Sequence, residues 1–269
     1  GALTDSDRTD DDTLVLSGVA TNSDASFDEN AVVTITATLD SGSGASSSTI
    51  TSGTATTDAS GVWSLTTTTL TDGDYVITAT IADVAGNPNT ATFNVTVDLT
   101  APTAPVLVVT DSVAGANGSF TGALNSGDHT DDVILALSGT AEADTVLTFT
   151  GITLNPAGTV TVDNVGNWTA TTATLPETLY NISVTSTDAS GNISVATTFD
   201  VTVDTTAEVP AIAAVTDDVG NITGSVSSGG DSDDTVLVLT GTAEADSTLS
   251  FAGITLNPAT VVTTDNVGN

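Results

Sequence analysis

The side chains that could do chemistry in this sequence are almost all oxygen acids. There are 34 Asp and Glu residues against one basic residue, Arg8, and one histidine, His129, for a formal net charge of −33. The acids gather at particular places. Asp98 ends the run VTVD, Glu142 and Asp144 sit in GTAEAD, and Asp188 and Asn192 bracket DASGN. The same set recurs further on as Asp204, Glu244 and Asp246. A second class lies in the long segment from Asp111 to Asp132, which ends in Asp131 and Asp132. It returns as Asp217, Asp218, Asp231, Asp233 and Asp234, and near the start as Asp10, Asp11 and Asp12. Several carboxylates and amide carbonyls within reach of one point suit a hard cation that takes about six to eight oxygens, Ca²⁺ before Mg²⁺ or a transition metal. Adjacent carboxylates repel, and no Lys is present to neutralise them. The spacing is not that of an EF-hand loop, so the calcium expectation rests on clustering and repetition. The plainer alternative is that Asp caps turns and keeps a Thr-rich surface soluble.

Composition excludes several other chemistries. One basic residue cannot neutralise phosphates, so nucleic acid and anionic membrane surfaces are not partners. Without Cys there is no disulfide framework, thiolate zinc site or iron–sulfur cluster, and without Lys no Lys–Asn isopeptide staple. Catalysis needs convergent unlike groups, and a single His and a single Arg do not supply them, which argues against an enzyme. His129 lies in a Gly/Asp-rich loop, is not repeated at Arg8 and Ser232, and reads as a solvated residue. No run of 18 apolar residues could span a bilayer, and no basic segment followed by an apolar core opens the chain. The sequence reads as an internal segment of a longer protein.

Such loops must be positioned by something, and the chain is built from repeats. Gly139–Asn167 and Gly241–Asn269 are identical at 22 of 29 positions, with a spacing of 241 − 139 = 102 residues. A period of about 100 residues also relates Trp63 to Trp168, DVAGN to DASGN, and VTVDLTAP to VTVDTTAE. Three units follow: 1–101, lacking an opening strand, 102–207, complete, and 208–269, lacking its last strands. The first carries about 16 extra residues between Gly18 and Trp63, with a Ser/Gly-rich stretch at 41–48 that reads as a longer hairpin or loop.

Inside the complete unit apolar residues alternate with polar ones, as at Val133, Leu135 and Leu137 or Phe199, Val201 and Val203, which argues strands. Seven are expected, near 106–110, 133–140, 145–150, 158–163, 167–175, 179–188 and 196–204. Seven short strands in about 100 residues, separated by Gly, Asn, Asp and Pro turns, is the pattern of an immunoglobulin-like β-sandwich. The predicted fold is therefore all-β, a tandem, elongated array of seven-stranded sandwiches. Trp63 and Trp168 each open a Thr-rich strand, where a core-plugging aromatic is favoured over a sugar-stacking platform. In such a sandwich the end of the last strand, at Asp98, faces the pole of the next unit, which presents the Glu142/Asp144 loop and the Asp188/Asn192 hairpin. Pro102 and Pro105 stiffen the linker.

The strings VTVDTTA, TDDV-x-LALSGTAEAD, NVGNWTATTATL and STDASGN resemble the bacterial Ig-like repeats of giant surface adhesins and biofilm-associated proteins, the RTX adhesins secreted by type I systems of Gram-negative bacteria. The resemblance implies an extracellular stalk in which neighbouring repeats stack end to end and calcium rigidifies the junctions. By position it implies Asp98, Asp188 and Asn192 at the first junction, and Asp131 and Asp132 at a loop site. The expected partners are calcium ions and the neighbouring repeats, with no membrane insertion. Two alternatives are a filament or sheath formed by lateral self-association, and a glycan- or surface-binding module that would use the 41–48 insertion.

Overall fold

Val, Ile and Thr are stiff, β-branched side chains that fit a pleated surface, and their alternation leaves one apolar face per strand. The computed structural model is accordingly all-β. It describes residues 2–21, 30–40, 48–82, 86–113, 121–221, 223–245, 247–257 and 261–269, with the side chains of 48–52 left aside, and no helix occurs among them. The chain divides into two compact units, Gly1–Asp204 and Thr205–Asn269.

The first unit contains two sandwiches. The first is built from β1 (Asp7–Thr9), β2 (Val15–Val19), β3 (Val32–Leu39), β4 (Ser48–Thr56), β5 (Val62–Thr66), β6 (Gly73–Ala82) and β7 (Pro88–Val97). One sheet runs β1-β7-β6-β3-β4 and the other is the pair β2-β5. Only β1 is parallel to its neighbour, with Asp7 opposite Val95 and Thr9 opposite Val97. The layers meet at Leu14, Val33, Ile35, Tyr75, Ile77, Val95 and Val97, all buried.

The second sandwich holds β8 (Val108–Asp111), β9 (Gly122–Ala123), β10 (His129–Thr130), β11 (Ala136–Thr140), β12 (Val146–Thr150), β13 (Val160–Thr161), β14 (Asn167–Thr171), β15 (Thr178–Thr187) and β16 (Thr197–Val203). Its sheets run β10-β16-β15-β12-β13 and β14-β11-β8-β9. Each expected strand is present, some shortened, and β9 and β10 are additional, so there are nine strands and not seven. Two residues are too few for an alternation to register in sequence, and these pairings come from neighbours distant in the chain. Trp168 is 4 % exposed and packs edge-to-face on Phe149, ring centroids 5.6 Å apart, which settles its role as a core aromatic. Burying side chains such as Leu137 or Ile182 stabilises the sandwich by about 1.5–3 kcal/mol each.

In the second unit β17 (Ala211–Asp217) is flanked by β18 (Gly224–Ser225) and β19 (Val238–Thr242), and β20 (Thr248–Leu249) pairs with β21 (Val262–Thr263). No Val, Leu, Ile, Phe or Ala side chain described in this unit is buried, and Ile212 on β17 is 66 % exposed.

Candidate functional site

The Asp188–Asn192 hairpin is shaped by its own residues. Gly191 takes φ +108°, which only glycine adopts easily, and this turns three successive backbone N–H groups toward one carboxylate. Asp188 Oδ1 accepts from the N–H of Ser190, Gly191 and Asn192 at 2.8, 2.7 and 2.9 Å, and Oδ2 accepts from Asn192 Nδ2 at 2.9 Å. Burial pulls the Asp188 pKa up, but the Asn192 side chain and these N–H groups outweigh it, leaving the carboxyl below its ordinary value.

The hairpin reaches the end of the first sandwich. Asn192 Nδ2 donates to the Asp98 carbonyl at 2.7 Å, and Ser190 Oγ donates to Asp98 Oδ2 at 3.2 Å. Asp98 Oδ1 accepts from Thr100 N, and its own N–H bonds to Thr9 O. Asp10 stands on the other side, its Oδ2 lying 3.3 Å from where a Cβ on Gly191 would be. The expected trio Asp98, Asp188 and Asn192 is therefore brought together, joined by Asp10 and Ser190. Glu142 and Asp144 are exposed, and their side chains make no hydrogen bond to that trio.

The linker is fastened at both ends. Asp72 Oδ1 accepts from Leu99 N at 2.6 Å and its Oδ2 from Thr100 Oγ1 at 2.8 Å, bonds that hold the Asp72 carboxyl below its ordinary pKa. On the other side Ser186 Oγ donates to Thr103 O, and Thr197 Oγ1 to Pro105 O at 2.5 Å, while Pro102 and Pro105 are buried. Asp72 is the residue that sequence reasoning missed. Its signal was only a turn, Thr-Asp-Gly-Asp, and its partners lie 27 and 28 residues away.

The loop acids form a different arrangement. Asp111 and Asp132 are 3 % and 2 % exposed. The Thr130 hydroxyl lies between them, donating to Asp111 Oδ2 at 2.7 Å and accepting from Asp132 N at 3.1 Å. Asp111 Oδ1 accepts from Val113 N, and Asp132 accepts from Ile134 N through Oδ1 and from Ser112 N and Oγ through Oδ2. Asp131 is the half-buried residue between Thr130 and Asp132. In the first sandwich Thr9 Oγ1 accepts from Asp11 N, Asp11 Oδ1 from Thr13 N, and the Asp12 carbonyl from Leu70 N.

In the second unit Asp217, 1 % exposed, accepts from Ser232 Oγ at 2.6 Å and from Val219 N, and the Ser232 bond is the main cause of its lowered pKa. Ser232 Oγ also accepts from Asp234 N, so Ser232 takes the part of Thr130 and not of His129, correcting the equivalence read from sequence. Asp234 Oδ1 accepts from Val236 N, its Oδ2 is buried with no hydrogen-bond partner among the described residues, and Asp233 Oδ2 accepts from Asn221 N. Glu244 Oε2 accepts from Glu208 N, the Asp204 N–H bonds to Thr130 O within the first unit, and Asp246 lies outside the described residues. Most of the 41–48 stretch does so too. Among the described residues no group of three His, Asp or Glu side chains is placed to hold one metal ion.

A family model described as bacterial Ig-like domain matches residues 4–99 and 107–205. Among solved structures the chain is similar to fibronectin(III)-like modules of Clostridium thermocellum CbhA, at 14 % identity and TM-score 0.38, covering 75 % of this chain and 90 % of that one. A tetra-tandem repeat in the extending region of a large adhesion protein is 21 % identical with TM-score 0.34, covering 87 % and 70 %. The BSP domain of a biofilm-associated protein is also 21 % identical, with TM-score 0.23, covering 74 % and 28 %. No curated protein sequence matches the chain. With two sandwiches observed and the family model spanning both, the chain belongs to the bacterial Ig-like domain family.

Proposed function

We propose that this chain is a structural extender segment of a bacterial cell-surface adhesin, a non-catalytic stalk that serves adhesion and biofilm formation and is rigidified by calcium between repeats. The observation that carries the reading is the Asn192 amide bonded to the Asp98 carbonyl, with the linker fastened by Asp72 on one side and Thr197 on the other. A module that only tethered a neighbour would not fix its linker at both ends. That one similar structure is named as the extending region of a large adhesion protein is in keeping with this role. Extracellular placement and secretion by a type I system are part of the same proposal and rest on the sequence resemblance.

The donor set fits a hard cation. Among the described residues Asp10 makes no hydrogen bond through its carboxylate and Asp98 Oδ2 takes a single one, and no basic side chain other than Arg8 exists to offset them. Asp10 and Asp98, with backbone and amide oxygens of the Asp188–Asn192 hairpin, would hold Ca²⁺ there, and its charge would offset the repulsion across the joint. The loop acids Asp111, Asp131 and Asp132, with Asp217, Asp233 and Asp234 in the second unit and Asp11 and Asp12 in the first sandwich, are the further places where calcium would bind. Weak affinity suffices at extracellular calcium, with dissociation constants of about 10⁻⁴–10⁻³ M typical of such modules.

The test is calorimetry and small-angle scattering in millimolar calcium and after chelation, on the chain and on Asp98→Asn. Calcium binding with a stiffer particle, both weakened by D98N, is the expected result. Equal profiles at matched ionic strength would remove calcium from the reading and leave a hydrogen-bonded stalk. Light scattering in the same buffers separates a monomeric stalk from a laterally associating filament.

A further inference from the structure

The five-stranded sheet of the first sandwich ends in a long edge strand. β4 runs for nine residues, Ser48–Thr56, and among the described residues it pairs with β3 alone. The corresponding edge strand of the second sandwich, β13, has two residues and is followed closely by Asp163. Thr57, next after β4, donates its N–H to the Ala31 carbonyl and accepts from Asn30 N, so its backbone faces β3. An antiparallel ladder alternates, which turns the N–H and C=O groups of Thr56, Thr54 and Ser52 away from β3. The bulge in this pair lies between Ala37 and Thr38, and the register from Thr51 to Thr56 is regular.

Along the same edge the chain drops its charge. From Asn30 to Thr57, which spans β3, β4 and the segment between them, the sequence holds one acid, Asp40, out of 34 in the chain. Glu29 and Asp58 flank this span in sequence, and Asp58 Oδ1 is engaged in its own turn, accepting from Ser60 N and Val62 N. Edge strands are commonly protected by charged side chains or Pro, and Ser48–Thr56 has neither. On the outer face Thr54, Thr34, Thr80 and Thr90 stand opposite one another across β4, β3, β6 and β7, with Thr54 and Thr56 exposed. On the inner face Ala55 is buried, and a Cβ on Gly53 would lie 3.0 Å from Leu65.

We propose that β4 is a self-pairing edge, and that its occupant is β4 of a second copy of this chain, laid antiparallel about a two-fold axis at Thr54. Thr54 and its copy then exchange both main-chain bonds, Thr56 and Ser52 of opposite copies do the same, and the row of threonines continues into the second sheet. Charge selects the occupant. A basic partner would be drawn to the acid-rich loops, whereas a second copy, itself at −33, meets least repulsion where acids are sparse. A two-fold contact that uses the same strand of both chains closes on itself, so it gives a dimer and not a filament. The pairing does not depend on calcium at the joint.

Sedimentation of the full chain in chelator should show a monomer–dimer equilibrium that added salt strengthens, because screening weakens the repulsion between acidic copies. Thr54→Asp sets two carboxylates face to face, and Thr54→Pro removes an outward N–H while leaving the bonds to β3. Each should weaken the dimer about tenfold or more, with the circular dichroism of the monomer unchanged. Thr92→Asp, on the outer face of β7, should leave the dimer as it is. The chain has no cysteine, so Thr54→Cys should join two copies by a disulfide under mild oxidation much faster than Thr92→Cys. A chain that stays monomeric in high salt overturns the proposal. So does a dimer that the folded Thr54 variants leave intact, since another surface then holds it, and so does equal crosslinking at the two cysteine positions.

Discussion

The side-chain amide of Asn192 donates at once to the backbone carbonyl of Asp98, 2.7 Å away in the preceding sandwich, and to Asp188 Oδ2 in its own hairpin, 2.9 Å away. One amide thus joins a turn to the last strand of another domain. The same five-residue turn occurs at Asp163 and Asp265, where Asn167 and Asn269 stay within their own loops. The turn is a local feature, and its bond across the joint is a tertiary one.

Asn192→Ala removes both bonds and leaves the Asp98 carbonyl and Asp188 Oδ2 without that donor. The expected cost is about 1–2 kcal/mol, read by chemical denaturation of the two-sandwich unit. Interdomain residual dipolar couplings should shrink as the joint loosens, while those inside each sandwich keep their values. Unchanged interdomain couplings would show that the amide does not hold the joint.

Thr130→Val keeps the shape but removes the hydroxyl that donates to buried Asp111 and accepts from Asp132 N. Leaving a buried carboxylate short of a donor should cost about 2–3 kcal/mol in urea unfolding. Thr130→Ser restores the hydroxyl, as Ser232 does naturally beside Asp217, and should recover most of that loss.

Acid should loosen the Asp188 hairpin. Its carboxyl is held below the ordinary value of 3.8, so the folded state binds a proton less readily than the unfolded chain. The stabilisation is complete above that ordinary value and is lost as pH falls through the lower folded one. Melting temperature followed from pH 7 downward should drop more steeply for the native chain than for Asp188→Asn. Parallel curves would show that Asp188 does not contribute.

Gly139→Ala and Gly18→Ala are the same substitution in two repeats with different expected outcomes. At Gly139 the methyl meets the Val106 backbone and displaces β8, whereas at Gly18 the nearest atoms it meets belong to the Trp63 ring, a side chain that can shift. The first should cost more than the second in thermal unfolding, and equal losses would mean that Trp63 is as rigidly held as β8.

Much of the fold was legible in the sequence because its causes are local. Alternating Val and Thr specify strands, the glycine of DASGN at Gly191 permits its turn, and the near-identity of Gly139–Asn167 and Gly241–Asn269 declares the repeat. The short strands β9 and β10 were not legible, since two residues carry no period and their partners lie elsewhere in the chain. For the same reason Asp72 was invisible as a linker anchor.

By itself the sequence determined an all-β chain of repeated domains, an acid surplus without counter-charge, and the loops in which that surplus sits. Only the tertiary structure decided what each oxygen does. Asp111 and Asp132 lie far apart in sequence yet share Thr130, whose hydroxyl has one proton to give and lone pairs to accept with. Asp98 and Asn192 meet because a strand end and a hairpin from different domains reach the same joint, and Gly139 lies against the Val106 backbone where Gly18 lies against the Trp63 ring. Hydrogen bonds reach about 3 Å, so which acid oxygens are satisfied within a sandwich depends on packing between segments remote in sequence.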